Sequence, residues 1–125
     1  MLRVATLYAL AATNWTAEDR LAAWRRELAL AAPAYRRQLG RARPTSRQRH
    51  ALRQDGARNH ATVTRVQLQR RAGAQARVTV WVTERTSSGT GTLVGETRNR
   101  VRLQRRPDGR WRVSGWTAAT DGSQG

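Results

Sequence analysis

The sequence predicts an α+β fold: three N-terminal helices packed on a curved four-stranded antiparallel sheet. Two observations predict it. Apolar residues recur at helical spacing in the first third of the chain and at every second position after Ala61. Two alternating segments also flank Arg106-Pro107-Asp108-Gly109, where Pro, Asp and Gly suit successive turn positions. The 125 residues fit one domain, predicted over 1–120 with a disordered tail at 121–125.

The first predicted helix covers residues 3–14. Residues Leu2–Ala12 have some features of a short signal peptide, but their apolar periodicity favours a core helix. The apolar positions that define its face are Val4, Leu7, Tyr8 and Ala11.

Two further helices are predicted before residue 40. Thr16 is a suitable N-cap for a helix over 17–31. Pro33 suits the first turn of a helix over 33–39, which Gly40 would end. The apolar stripe of the second helix consists of Leu21, Trp24, Leu28 and Ala31.

Residues 41–59 leave two interpretations open, a short helix capped by Thr45 and a mobile basic loop. Between Arg36 and Arg58 there are eight arginines and one acid, Asp55. This segment is therefore the sequence's candidate for contact with a polyanion. The arginines assigned to that contact are Arg41, Arg43, Arg47 and Arg49.

Four strands are predicted, at 61–70, 76–86, 96–106 and 110–117. In the first, Val63 and Val66 are out of phase for a regular strand, which predicts a bulge near Thr64-Arg65. Alternation assigns the following residues to the core face: Val78, Val80, Val82, Val101, Leu103, Trp111 and Val113. It assigns the following to the opposite face: Thr79, Trp81, Thr83, Arg102, Arg112, Ser114 and Trp116.

Tryptophan and arginine together on an open sheet face are typical of protein interfaces. The predicted interface consists of Trp81, Trp116, Arg112 and Thr79. We expect this face to bind another copy of the chain or a partner subunit.

The chain carries a formal net charge of +16, and all of its 24 basic residues other than histidine are arginine. Either a polyanionic partner or a coding bias toward arginine accounts for this. Weak nonspecific binding to nucleic acid is expected in both cases. The chain has no cysteine and no run of 18 apolar residues, so neither a disulfide framework nor a membrane span is predicted within it.

No catalytic, cofactor-binding or metal site is predicted, and the chain is not expected to be an enzyme. The titratable candidates have no spacing typical of an acid–base pair or a metal site; they are Glu84, His60, Asp19, Tyr8 and Tyr35. We expect Glu84 to pair with an arginine at a strand end. The interior is predicted to be apolar, lined by Leu21, Trp24, Leu28, Val80 and Trp111.

Three segments carry a family resemblance: Thr13-Asn-Trp-Thr-Ala17, Val82-Thr-Glu-Arg-Thr86 and Gly109-Arg-Trp-Arg-Val-Ser-Gly-Trp116. They resemble actinobacterial proteins of conjugative elements, which are similar to the inner-membrane scaffold subunit of type IV secretion systems. The order of helices and strands is similar to the cone-shaped fold of nuclear transport factor two.

The resemblance implies a noncatalytic scaffold in a conjugative DNA-transfer apparatus. It implies homo-oligomers, contacts with other apparatus subunits, and a place outside the cytoplasm, at a membrane reached through an anchor upstream of this chain. The alternatives are a nonspecific nucleic-acid-associated module and a small-ligand or enzyme pocket inside the cone.

Overall fold

The computed structural model describes residues 1–121 of the chain. Its elements are α1 Leu2–Thr13, β1 Trp15–Thr16, α2 Arg20–Leu30, α3 Pro33–Arg41, α4 Ser46–Asp55, β2 Arg58–Ala72, β3 Gln75–Ser88, β4 Gly91–Arg105 and β5 Trp111–Asp121. Asp121, the first residue of the predicted tail, ends β5, and residues 122–125 lie outside the described part.

The five strands form one curled antiparallel sheet in the order β1-β2-β3-β4-β5. The α+β class is confirmed, but the predicted numbers of helices and strands were wrong. The structure has four helices, because residues 46–55 of the ambiguous segment are helical. It has five strands, because Trp15 and Thr16 pair with the start of β2.

Local chemistry explains the additional helix α4. The Thr45 hydroxyl accepts a hydrogen bond from the Gln48 backbone N–H at 3.1 Å, and the Gln48 side chain accepts one from Thr45 N–H at 2.8 Å. This reciprocal capping box satisfies two donors at the helix start. Gly56, in the left-handed conformation at φ 61°, ends the helix.

The core lies between α1 and one face of the sheet. Helix α1 contacts all four long strands, and its small residues Ala5 and Ala9 are fully buried against them. The sheet contributes six fully buried side chains, as alternation predicted: Val78, Val80, Val82, Val101, Leu103 and Val113. We call the opposite face of the sheet the outer face.

Bulges interrupt the register at three places. The first leaves Thr64 without a partner between Val63 and Arg65, which confirms the predicted bulge. The second leaves Gln69 unpaired. The third, which the sequence analysis did not predict, leaves Ser114 unpaired in β5.

Because of the bulge at Ser114, Trp116 does not lie on the face that the sequence predicted. A bulge adds one residue, so side chains beyond it move to the other face. Trp116 is paired with the core residue Val101, and its indole N–H donates to Asn99 Oδ1 at 2.9 Å. Trp116 therefore packs against the core instead of lying on the outer face.

The predicted interior also needs a correction at α2. Leu21 and Leu28 are only half-buried, and Trp24 packs away from the main core, donating from its indole N–H to Leu39 O at 2.9 Å. The other buried positions of this segment are Ala23, Glu27 and Ala31. Glu27 accepts a hydrogen bond from the Tyr8 hydroxyl of α1.

Candidate functional site

Arginines cover the outer face along the three central strands. Cross-strand pairing sets nine residues in three rows over β2, β3 and β4, which we call the arginine rows: Arg65–Trp81–Arg98, Gln67–Thr79–Arg100 and Arg70–Arg77–Arg102. Six of the nine residues are arginine and none is acidic. A carboxylate residue on this face, Glu96, lies in the next row and pairs with Thr83.

Trp81 is the aromatic residue of the arginine rows. Its side chain is half-buried, and the Arg65 guanidinium lies 4.7 Å from the ring centroid. Arg65 also donates to the Gln67 amide oxygen at 2.9 Å. These contacts hold a cation, an aromatic ring and an amide next to each other on an open surface.

Two shallow grooves follow the arginine rows, and Arg77 lines both. One has a volume of about 420 Å³ and is lined by Gln67, Gln69, Arg77, Thr79, Trp81, Arg98 and Arg100. The other, of about 480 Å³, is lined by Arg70, Ala72, Gln75, Ala76, Arg77, Arg102 and Ser114. Among the residues that the structure describes, no acidic side chain lines either groove.

The structure brings three of the four predicted interface residues to the outer face. Trp81 and Thr79 lie in the arginine rows, and Arg112 is paired with Gln104 at the end of the same face. Thr79 is only 2% exposed, since Gln67 and Arg100 flank it, so it forms the floor of the groove. Trp116 lies on the core face, as described above.

The predicted polyanion residues lie on α3, α4 and their connection. Arg41 ends α3, and Arg43 lies 5.7 Å from the Trp24 ring centroid. Arg47 and Arg49 lie in the first turn of α4. These four arginines therefore follow a helix–loop–helix segment, whereas those of the outer face are fixed on one sheet.

A buried polar cluster joins the first three helices. The Tyr8 hydroxyl donates to Glu27 Oε1 at 2.9 Å and lies 2.8 Å from the Tyr35 hydroxyl. All three side chains are at most 8% exposed. Tyr8 also meets the Trp116 ring edge-on at 6.1 Å between centroids. The two hydroxyls and one oxygen of the Glu27 carboxylate are thus hydrogen-bonded within the protein.

Burial dominates the acid–base properties of this cluster. It raises the pKa of Glu27, while the Tyr8 hydrogen bond and the charge of Arg20 oppose the rise. It also raises the pKa of Tyr8, with the Glu27 charge adding to the effect, and the pKa of Tyr35. Because the groups are closed off from solvent, we interpret the cluster as structural.

Glu27 is a buried group that was not predicted from the sequence. One available signal was its position four residues from both Ala23 and Ala31, which are also buried. A carboxylate on a stripe of alanines is expected to need an internal hydrogen-bond donor. The sequence offers Tyr8 and Tyr35 as candidates but not their positions in space.

Glu84 has different partners from the arginine that the sequence analysis expected. Asn59 donates to Glu84 Oε1 at 2.7 Å, and the Thr97 hydroxyl donates to Glu84 Oε2. Thr86 donates to Asn59 Oδ1 at 2.6 Å. His60 is exposed and points to the other face, opposite Arg85. Glu84 therefore accepts hydrogen bonds from uncharged side chains, in a network that ties β2 to β3 and β4.

Within residues 1–121, no three histidine, aspartate or glutamate side chains gather as metal ligands would. The same part of the chain has no helix with the length and apolar character needed to cross a membrane.

The sequence matches no family model and no curated protein. Solved structures, however, show the same fold. The periplasmic domain of DotI aligns over 94% of this chain and 91% of its own, with a TM-score of 0.71 and 16% identity. A TrwG component of the type IV secretion system from Bartonella birtlesii aligns over 93% and 87%, with a TM-score of 0.69 and 14% identity. Agrobacterium tumefaciens VirB8 aligns over 98% and 92%, with a TM-score of 0.66 and 14% identity.

These similarities confirm the predicted resemblance. The chain has the nuclear transport factor two-like fold of VirB8-, TrwG- and DotI-like secretion components, and it resembles the inner-membrane scaffold subunits of type IV secretion systems.

Proposed function

We propose that this chain is a noncatalytic assembly subunit of a conjugative, type IV secretion-like DNA-transfer apparatus. The observation that carries the proposal is the similarity to the periplasmic domain of DotI, which extends over nearly the full length of both chains. Agreement over the whole domain supports the proposal more strongly than a match to one part of the fold would. In this proposal the domain is outside the cytoplasm, next to the membrane.

The subunit acts through protein–protein contacts with its own copies and with other subunits. Trp81 and Arg112 remain the accessible candidates on the outer face, and Thr79 is a buried candidate two residues from Trp81 on β3. If Trp81 anchors a second copy, Trp81→Ala weakens self-association without a comparable loss of stability. Sedimentation velocity over a range of protein concentrations measures this effect.

The absence of catalysis is proposed from the environment of the titratable groups. The carboxylate with a shifted pKa, Glu27, is enclosed by Tyr8 and helix packing, so a substrate has no route to it in this structure. Each oxygen of Glu84 accepts a hydrogen bond from an uncharged side chain. Both arrangements engage these two carboxylates in structural hydrogen bonds.

A genetic experiment tests the proposal. The gene is deleted in the bacterium that encodes this chain, and the transfer frequency of its conjugative element is measured. We expect deletion to abolish transfer, and both wild type and Glu27→Gln to restore it. Transfer that does not change on deletion contradicts the apparatus role. If Glu27→Gln is folded but fails to restore transfer, the noncatalytic part of the proposal is wrong.

A further inference from the structure

We propose that the arginine rows on the outer face are a binding site for single-stranded nucleic acid. The proposal moves the polyanion site from the α3–α4 segment, where the sequence suggested it, to the sheet. It goes beyond the assembly role and does not depend on it.

The spacing of charges fits a linear polyanion. Arg98, Arg100 and Arg102 occupy alternate positions of β4, so they point to one face at intervals of about 6.8 Å. Arg77 and Arg70 extend this array across β3 and β2 in the row of Arg102. Guanidinium groups bind phosphate through paired hydrogen bonds, and every arginine stays charged at accessible pH.

The other side chains of the arginine rows are better suited to contact nucleic-acid bases than to contact a surface that is only negatively charged. Trp81 offers an indole for stacking, and one side of it already carries a guanidinium. Gln67 and Gln69 line the same groove as Trp81 and present amides that donate and accept hydrogen bonds. Phosphate-binding arginines around an aromatic ring are the combination by which single strands are bound without sequence preference.

The shape of the face favours a flexible strand over a duplex. The sheet curls, so the arginine rows do not lie on a flat surface. A stiff duplex cannot follow a curved, grooved surface as closely as a single strand can. A single strand can follow the two grooves that meet at Arg77.

A two-fold dimer through this face is disfavoured, because the same patch would meet itself and set the arginine rows of one copy against those of the other. Such like-charge contacts oppose association. The self-association proposed above therefore requires a second copy to meet Trp81 with a different surface. An acidic protein would complement the positive charge of the arginine rows but would have no bases to stack on the Trp81 indole. The experiment below distinguishes an acidic protein from a single strand of nucleic acid.

The test uses the full chain and a fluorescently labelled oligo-dT of about 15 nucleotides, within the range of single-strand site sizes. Anisotropy gives the affinity at several salt concentrations. Two variants remove the same charge: Arg77→Gln/Arg100→Gln/Arg102→Gln on the outer face, and Arg41→Gln/Arg43→Gln/Arg47→Gln as the matched control. Circular dichroism verifies that both are folded.

The outer-face variant should reduce the slope of log affinity against log salt by about 2, since each phosphate contact to a single strand contributes about 0.7. The control should leave the slope nearly unchanged. Equal reductions in both variants would mean that only the general charge of the chain binds DNA, which overturns the proposal.

Trp81→Ala separates stacking from charge. It should weaken oligo-dT binding about tenfold, whereas heparin, an anionic polymer without bases, should bind as before. Unchanged oligo-dT binding, or an equal loss for heparin or polyglutamate, would contradict a base-stacking site. The polyglutamate result would point to an acidic protein.

A measurement on the unaltered protein gives an independent answer. An oligo-dT that contains photoreactive thiothymidine is cross-linked to the wild type, and the attached peptides are identified. Cross-links in β3 and β4 support the proposal, while cross-links confined to α3 and α4 overturn it.

Discussion

The two faces of the sheet are made from the same strands and differ completely in chemistry. The inner face carries valine and leucine side chains that are fully buried under α1. The outer face carries the arginine rows, in which five of the six arginines are exposed. Strand alternation alone separates the two sets, because successive side chains point in opposite directions.

This difference shows which substitutions report on folding and which report on binding. Inner-face residues contribute apolar burial and satisfied polar groups, so their loss lowers the free energy of unfolding. Outer-face residues contribute charge with little burial, so their loss should change interactions with partners. The predictions below test that division, starting with the largest effect.

Trp116→Ala should have the largest effect, because the structure places Trp116 with the inner face. The variant removes ring contacts with Tyr8 and the hydrogen bond to Asn99. We expect a loss of about 3 kcal/mol in the free energy of unfolding, measured in urea. Trp81→Ala is the matched control and should lose less than about 1 kcal/mol. Equal losses would mean that the two tryptophans do not lie on different faces.

Tyr8→Phe should come next, because it removes one hydroxyl from a dry cluster. Glu27 and Tyr35 would each lose a hydrogen-bond partner while remaining buried. An unsatisfied buried group costs about 1–3 kcal/mol, and the unfolding free energy should fall by that order. Tyr35→Phe should cost less, since Tyr8 would still donate to Glu27. A larger loss for Tyr35→Phe would contradict this hydrogen-bond direction.

Glu27 predicts a pH dependence of stability. Burial raises its pKa in the folded state above the ordinary value of 4.5, so the folded protein holds this proton more tightly than the unfolded chain. The resulting stabilisation is complete below pH 4.5 and is lost as pH rises toward the folded-state pKa. Thermal unfolding of wild type and Glu27→Gln across this range measures the difference. The Gln variant should lack this part of the slope, and parallel profiles would contradict the prediction.

Gly115→Ala should have the smallest effect and lies on the outer face. A Cβ at position 115 would come within 2.7 Å of the Arg102 guanidinium atoms, which now cover Gly115. Because the end of an arginine side chain can move, the unfolding free energy should change by less than about 0.5 kcal/mol. Binding of oligo-dT should nevertheless change, since Arg102 is displaced from its row. A large loss of stability would show that the contact is part of the core.

The sequence predicted the central strands well and the periphery less well. The valines of β3 alternate without interruption, so their core positions followed directly. The Thr64 bulge left a visible phase error between Val63 and Val66, whereas the Ser114 bulge left none, because Ser114 and Gly115 are compatible with either face. For that reason Trp116 was placed on the wrong face.

The buried cluster could not be predicted because it joins residues distant in sequence. Tyr8, Glu27 and Tyr35 come from three helices, and each taken alone fits an exposed or amphipathic position. The arginines of β4 could be predicted to share one face, because they occupy alternate positions of the strand. The sequence alone did not show that the β4 arginines align with Trp81 and Arg77 on the neighbouring strand β3.

The extra residue at Ser114 also affects how the sheet ends. A strand edge with free hydrogen-bonding groups is a template on which other chains can add and aggregate. In β5 the Ala32 N–H donates to Val113 O at 2.7 Å, so the α2–α3 connection occupies this edge immediately before the bulge. The bulge then kinks the strand, and a kinked edge is a poor template for a straight incoming strand. The Ser114 bulge, which made the face of Trp116 hard to predict from the sequence, thus also opposes the addition of further strands at the β5 edge.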